Sequence, residues 1–330
     1  MRAIVHTAPG GPEVLALQEV PTPTPGPGQI RVRVCAAGLN RADLLQRRGA
    51  YAAPPGWPAN IPGLEYAGEV EALGEGVTRW RPGDHVMGLV GGGAHAEFVV
   101  VHQDEVIRVP DGLGFIEAAA IPEAFLTGWD ALVTRGRLGA GERVLLHAVG
   151  SGLGTAMILL ARRLGATILG TSRTPAKLAQ AKAMGLDAGI DTSAGSFRAA
   201  IDPPVNVVID VLGGPAFADN LAVLAPRGRL VMLGFLQGPL VETSLEPVLR
   251  KRLEVVGSVM RTRGLEERIA LVTEFSRRVL PWFEGEDRIR PVIGATFPMT
   301  AVAEAHRAME ANEPFGKIVL TWQEAGSSKQ

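Results

Sequence analysis

The chain is poor in cysteine. Cys35 is the single one in 330 residues, which excludes an internal disulfide and a thiolate-rich structural zinc site. It falls in an apolar strand pattern, so it reads as a small packed residue rather than a nucleophile. An excess of charge is lacking too: 33 Lys and Arg stand against 34 Asp and Glu, for a formal net charge of −1. With no basic surplus to displace counterions, nucleic acid is excluded as the principal partner. No apolar run is long enough to span a bilayer, and the N-terminus opens as a strand rather than a signal peptide. A membrane role is therefore not expected, and the cytoplasm is the expected location. Histidines are few and scattered. His85, His95 and His102 fall on separate strands, and they, like His6, His147 and His306, read as structural or surface groups without metal-type spacing.

What the chain does have is length and apolar content for two cores, since 330 residues with 46% hydrophobic content exceed what one core usually organises. Residues 1–122 read as short strands separated by Pro- and Gly-rich pieces, with one short helix over Asn40–Arg48 and a proline-rich loop from Gly49 to Pro62. The run Pro21 to Gly28 is a stiff connector between strands. From about residue 123 to 264 the pattern alternates strand and helix. Strands are expected at Arg143–Ala148, Thr167–Thr171, Ala188–Ile190, Val205–Asp210, Arg229–Leu233 and Glu254–Met260, which implies a doubly wound parallel sheet. The remainder, 265–330, gives a helix to about Phe283, then strand, helix and strand. Those elements are too few for a domain and are expected to return to the first one.

The stretch Arg143–Leu164 carries the strongest chemical signal. An apolar Val- and Leu-rich run is followed by Gly150, Ser151, Gly152, Leu153 and Gly154, and then by the dense apolar spacing of a helix packed on a sheet. Strand, glycine turn and helix make a phosphate cradle, because backbone N–H groups approach a pyrophosphate closely and the positive end of the helix faces its charge. The strict G-x-G-x-x-G register is not kept: aligned on Gly154, the first two positions hold Val149 and Ser151. At the end of the second strand, where such a unit reads the adenosine ribose, stand Ser172 and Arg173, with Lys177 nearby, and no carboxylate. An acid there would repel a phosphate, whereas these residues offer donors and positive charge, so NADPH is expected over NADH. Solvated residues at a strand end are the bland alternative. Thr174-Pro175 reads as an N-cap followed by proline at the first helical position.

Several local strings resemble those of the medium-chain dehydrogenase/reductase superfamily. Gly63-Leu64-Glu65-Tyr66-Ala67-Gly68-Glu69-Val70 resembles G-H-E-x-x-G-x-V. Gly83-Asp84-His85-Val86 resembles G-D-x-V, Ala118 to Glu123 resembles A-A-A-I-P-E, and Gly316-Lys317-Ile318-Val319-Leu320 resembles a closing G-K-x-V-L. Within the superfamily the chain is similar to the zinc-independent quinone oxidoreductases related to zeta-crystallin, and to their stress-inducible subgroup. Its marks are Gly38 to Asp43, Gly49-x-Tyr51, Ile121 to Ala124 and the H-A-V-G-S-G-L-G-T-A turn. The resemblance implies an α/β fold, a GroES-like β domain plus a doubly wound parallel six-stranded Rossmann sheet.

The resemblance also implies a metal-free site. Zinc-dependent relatives take ligands from a Cys and from the His of G-H-E, and here those positions hold Asn40 and Leu64, neither a strong ligand. What remains is a nicotinamide and an acceptor in a cleft between two domains. Hydride addition to a quinone or an α,β-unsaturated carbonyl needs closeness, orientation and a hydrogen bond to the forming oxyanion. By resemblance Asn40 and Tyr51 stand at the mouth of that cleft as donors. Alternatively Asn40 caps the short helix and Tyr51 covers apolar surface. Asp43 and Glu65 are expected to hold the loop rather than transfer protons.

Cofactor contacts carried over by position are Thr127, Leu212, Gly213, Phe235, Leu236, Met260 and Arg261, beside the cradle residues. One departure is Asp191-Thr192, where many relatives place a tyrosine near the adenosine phosphate. Three functions fit: an NADPH-dependent quinone oxidoreductase, an NADPH-dependent enone or activated-alkene reductase, or a low-turnover NADPH-binding protein. Relatives pair their last Rossmann strand across a two-fold axis, which implies a homodimer here.

Overall fold

In the first eleven-residue strand of the main sheet, alternation decides which face is covered. Ile30, Val32 and Val34 are buried, while Arg31 and Arg33 point away, until from Ala36 onward both faces are covered. The structure, a computed structural model, describes residues 1–322. It divides into two units, one made of Met1–Leu126 with Arg261 onward, the other of Thr127–Met260. The second is thus inserted into the sequence of the first.

In the first unit, β1 (Arg2–His6) pairs antiparallel with β2 (Leu15–Glu19). The main sheet uses β3 (Gln29–Leu39), β4 (Glu65–Leu73), β5 (His85–Leu89), β6 (Phe98–His102) and β7 (Val106–Arg108). The second unit contributes β8 (Arg143–Leu146), β9 (Thr167–Ser172), β10 (Ala188–Asp191), β11 (Val205–Asp210), β12 (Leu224–Met232) and β13 (Glu254–Gly257). The chain then adds β14 (Ile293–Pro298) and β15 (Lys317–Thr321), which join the main sheet of the first unit in the order β14-β15-β3-β4-β5-β7, with β6 also on β3. That sheet wraps a core of Ile30, Val32, Leu39, Tyr66, Val86, Val302 and Leu320. Its central strand β3 is flanked by β4 and β15, so residues near 38, 65 and 317 meet at one end of the sheet.

The second unit is a six-stranded parallel sheet in the order β10-β9-β8-β11-β12-β13. The order reverses between β8 and β11, the place where such sheets bind their ligand beyond the strand carboxyl ends. Leu145, Val208 and Leu230 run through its core.

Several elements differ in extent from the reading of the sequence. The helix that opens the alternating region runs from Pro122 to Trp129 and then widens into a π-helix over Asp130–Arg135, in which Gly136 N donates five residues back to Ala131 O. β12 begins at Leu224 rather than Arg229, because Leu224 pairs with Val205 across an irregularity in the ladder. β13 stops at Gly257, where its partner β12 also ends. The Thr174 side chain does not cap its helix; instead Ser172 Oγ accepts from Thr174 N at 3.1 Å.

Candidate active site

Ser151 is the N-cap of the helix Gly152–Arg163, its Oγ accepting from Gly154 N at 3.0 Å. Helix geometry leaves the first-turn amides of Gly152 and Leu153 without an intrahelical acceptor, next to the positive end of a twelve-residue helix. Gly154 permits the close packing behind this turn: a Cβ on it would lie 2.5 Å from Ala148 O and 2.6 Å from Val149 Cα. Gly150 does the same for Lys177, whose Cδ would lie 2.6 Å from an added Cβ. Lys177 therefore crosses the cradle because Gly150 has no side chain. These residues fit a pyrophosphate, with amides and a helix terminus on one turn, and Lys177 reaches over that turn from the helix Pro175–Ala183.

The other cofactor candidates of this unit gather at the same edge. Ser172 closes β9 and Arg173 follows it, exposed. Asp191, at the end of β10, lies directly beside Ser172 in the ladder, with its Oδ1 accepting from Ser193 N at 2.8 Å. At the end of β11, buried Asp210 accepts from Leu212 N at 2.7 Å and Gly213 N at 3.1 Å, which fixes that loop. The loop after β12 is tied to it, Leu236 N donating to Val211 O at 3.0 Å and Gln237 N to Leu212 O at 2.8 Å. Phe235 and Leu236 are both exposed, whereas Met260 is buried and Thr127 half-buried. His147, just past β8, is buried under the turn. Its ring bonds Thr171 Oγ1 and Asn220 Oδ1, each at 2.8 Å. The Asn220 oxygen can only accept, so His147 carries its proton on Nε2, and burial keeps the ring neutral by lowering its pKa.

In the first unit, Asn40 precedes the helix Arg41–Arg47. The return half of a capping box is present: Asp43 Oδ2 accepts from Asn40 N at 2.8 Å, while Oδ1 accepts from Gly63 N at 2.9 Å. The Asn40 side chain turns instead toward the sheet. Its Oδ1 accepts from Lys317 Nζ at 2.7 Å and its Nδ2 donates to Glu65 Oε1 at 2.8 Å. Lys317 also forms a salt bridge with Glu65, whose second oxygen accepts from Glu123 N at 2.7 Å. Asp43 and Glu65 are thus engaged with backbone and side-chain donors, and both are fully buried.

Tyr51 lies on the loop after that helix. The Arg261 guanidinium stacks on its ring, 4.7 Å from the centroid. Arg261 Nε donates to Gly91 O at 2.8 Å, its NH1 to Tyr51 O at 2.9 Å, and its NH2 to Gln46 Oε1 at 2.5 Å. Gln46 in turn donates to Ala59 O at 3.1 Å. Arg261 therefore holds the 49–62 loop, directly at Tyr51 and through Gln46 near its other end. Burial pushes the Tyr51 phenol up from its ordinary value, with Arg261 opposing, so it is a protonated donor at neutral pH. The roles of Lys317 and Gln46 escaped the sequence reading. Lys317 was visible only as a letter in G-K-x-V-L, and nothing local announces that it sits beside residues 40 and 65.

The residues do not fit a catalytic zinc. The Asn40 oxygen already faces an ammonium ion, and among the described residues no group of three or more His, Cys, Asp or Glu could hold a metal. Burial pushes the Cys35 thiol up to about 11, so it is no thiolate at neutral pH. His95 and His306 are buried with lowered pKa values, and His6 Nε2 lies 3.1 Å from Ala59 O. His85 and His102 sit beside Glu69 and Asp104.

The chain is similar to known proteins over nearly its full length. Residues 26–111 match the family model of the alcohol dehydrogenase GroES-like domain, and 152–277 that of the zinc-binding dehydrogenase. A quinone oxidoreductase of Pseudomonas aeruginosa is 34% identical over 97% of this chain and 99% of its own. The structure of the quinone oxidoreductase from Coxiella burnetii superposes with a TM-score of 0.81 at 29% identity, covering 98% of this chain and 99% of that one. An NAD-dependent alcohol dehydrogenase superposes with a TM-score of 0.85 at 31% identity, over 98% and 100%.

Proposed function

The chain belongs to the zinc-independent quinone oxidoreductase family of medium-chain dehydrogenases/reductases, and from that premise we propose that it reduces quinones with NADPH. It is an oxidoreductase with a nicotinamide cofactor; the quinone and the preference for NADPH are the proposal. Bound reduced nicotinamide supplies a hydride, which together with one proton from water converts a quinone to its hydroquinone. Gly150, Ser151, Gly152, Leu153 and Gly154 hold the pyrophosphate. Ser172, Arg173 and Lys177 take the ribose phosphate, and Leu212, Gly213, Phe235, Leu236, Met260, Arg261 and Thr127 complete the cofactor contacts. Asn40 and Tyr51 donate to the acceptor oxygen as it gains negative charge.

The observation that carries this reading is the character of the first-unit site. It offers a polarised amide at Asn40 and a protonated phenol at Tyr51, while its carboxylates Asp43 and Glu65 are buried and engaged by other donors. Such groups serve an acceptor that is already electron-poor and needs only a hydrogen bond. For cofactor choice, the support is the cation pair Arg173 and Lys177 beyond β9, against which Asp191 is a single neighbouring acid. Steady-state kcat/KM for a panel of quinones and enones with NADPH and NADH tests both halves. Higher values for quinones with NADPH are expected. Preference for enones would move the assignment to activated-alkene reduction, and cofactor binding by tryptophan quenching without turnover of any acceptor would refute catalysis.

We also propose a homodimer, located in the cytoplasm. β13 is the edge strand of the parallel sheet, and Leu245, Leu249 and Val255 on and before it are exposed. Among the described residues no helix is long and apolar enough to cross a membrane. Sedimentation at micromolar concentration is expected to give twice the chain mass; a mass near one chain would reject the dimer.

A further inference from the structure

Three distant residues form one buried polar ring in the first unit. Lys317 Nζ donates to Asn40 Oδ1 at 2.7 Å and to Glu65 Oε1, and Asn40 Nδ2 donates to the same Glu65 oxygen at 2.8 Å. Lys317 and Glu65 are 4% and 0% exposed. Taking an ion pair so far from water is unfavourable unless its geometry is well satisfied, and an apolar pair of similar volume would usually serve stability as well. Stability alone is therefore a poor reason for this pair.

We propose that Lys317 is a positioning residue for the reaction, acting through Asn40. An amide presents similar shapes in its two flipped orientations, and only its hydrogen-bond partners decide between them. Here the flip is forbidden twice, since it would set Nδ2 against the Lys317 ammonium and Oδ1 against the Glu65 carboxylate. Lys317 and Glu65 together therefore lock the amide with one N–H on Glu65. Its other N–H has only Gly38 O, 3.5 Å from Nδ2, too far for a good hydrogen bond. That second N–H is the one the acceptor oxygen receives. The ammonium on Oδ1 also polarises the amide, which strengthens both of its N–H donors. Gly38 makes the ring possible, because a Cβ there would meet the Glu65 carboxylate and stand 2.8 Å from Ala119 O.

This inference rests on the reading of Asn40 as a donor to the acceptor, and the test separates the two. The substitution pair Glu65→Gln with Lys317→Met removes both buried charges at once, and is made in the wild-type and in the Asn40→Ala backgrounds. In the wild-type background, kcat/KM for a quinone is expected to fall by about tenfold, the size of one charged hydrogen bond. The NADPH dissociation constant, read by tryptophan quenching, is expected to stay within about twofold, and in the Asn40→Ala background the pair is expected to change kcat/KM by less than about twofold. An equal fall in both backgrounds would mean that the ring only supports the fold, and no fall in either would mean that it does nothing for the reaction; each overturns the proposal. Should Asn40→Ala itself leave quinone turnover unchanged, the reading of Asn40 fails first and the role of Lys317 falls with it. If the pair does not fold, Lys317→Arg completes the same cycle, because a guanidinium keeps the charge but not the single donor shared by two oxygens.

Discussion

Replacing Arg261 with methionine removes a guanidinium that is 6% exposed and donates to Gly91 O, Tyr51 O and Gln46 Oε1. Gly91 and Gln46 are buried, so each loses its partner where water does not readily substitute, at about 1–3 kcal/mol apiece. The stack on Tyr51 adds on the order of 1 kcal/mol. Against this, burial disfavours the guanidinium charge, and its removal returns part of the loss. The expected net loss is about 2–4 kcal/mol, read as the shift of the urea midpoint multiplied by the m-value. Because the 49–62 loop is released, KM for the quinone is expected to rise by a larger factor than the NADPH dissociation constant, to which Arg261 is one contact among many. Arg261→Lys is expected to recover little of either, since one ammonium cannot reach three acceptors set around a planar fork. A loss under about 0.5 kcal/mol, or full rescue by lysine, would refute this account.

Further outcomes are expected. His306 is buried beside Arg47, whose NH1 lies 3.1 Å from Nδ1, and its pKa is pushed down to about 2, chiefly by burial. The unfolded chain thus binds a proton that the folded chain refuses, so this contribution is intact above pH of about 6.5 and is lost progressively toward pH of about 2. His306→Gln is expected to flatten the fall of stability between pH 6 and 5 by roughly 1 kcal/mol per pH unit, measured by urea unfolding at each pH; an unchanged slope contradicts it. Arg173→Ala is expected to weaken NADPH by about 1–3 kcal/mol and leave NADH nearly unaffected, with equal losses for both cofactors contradicting phosphate reading. Asp191→Asn is expected to tighten NADPH by about 0.5 kcal/mol, the scale of one charge across several ångströms of solvent, and an unchanged or weaker dissociation constant in titration would speak against it. Ala148 holds a left-handed φ of 54° at the entry to the cradle, so Ala148→Gly is expected to raise stability by about 0.5–1 kcal/mol, and a fall in Tm would contradict the assigned strain.

The parallel sheet was legible because each of its strands is a short apolar run bounded by turn residues, a pattern that needs no partner to be read. Its edges were less so. The length of β12 depends on Leu224 meeting Val205, and that of β13 on where β12 stops, both matters of pairing. The strand–glycine turn–helix unit was readable for a similar reason, since glycines at such a turn act through local backbone geometry. The first-unit site was readable only in part. Asn40 and Tyr51 stood out by resemblance, but the direction of the Asn40 amide is decided by a lysine 277 positions away. Arg261 shows the same limit: its place after the sixth strand of the inserted unit suggested a cofactor neighbour, while its guanidinium is committed to Gly91, Tyr51 and Gln46.

Inserting one unit within the other has a consequence for synthesis on the ribosome. The glycine turn and all six strands of its sheet have been synthesised by residue 260, so that unit can fold while the remaining chain is still being made. The first unit must wait: the flank of β3 that β15 covers stays bare, and Glu65 lacks its ammonium partner, until translation passes Lys317 and the strand it begins. The nascent protein thus completes the proposed nucleotide cradle before the chain can place the lysine that fixes the Asn40 amide, and a release that came early would leave the first without the second.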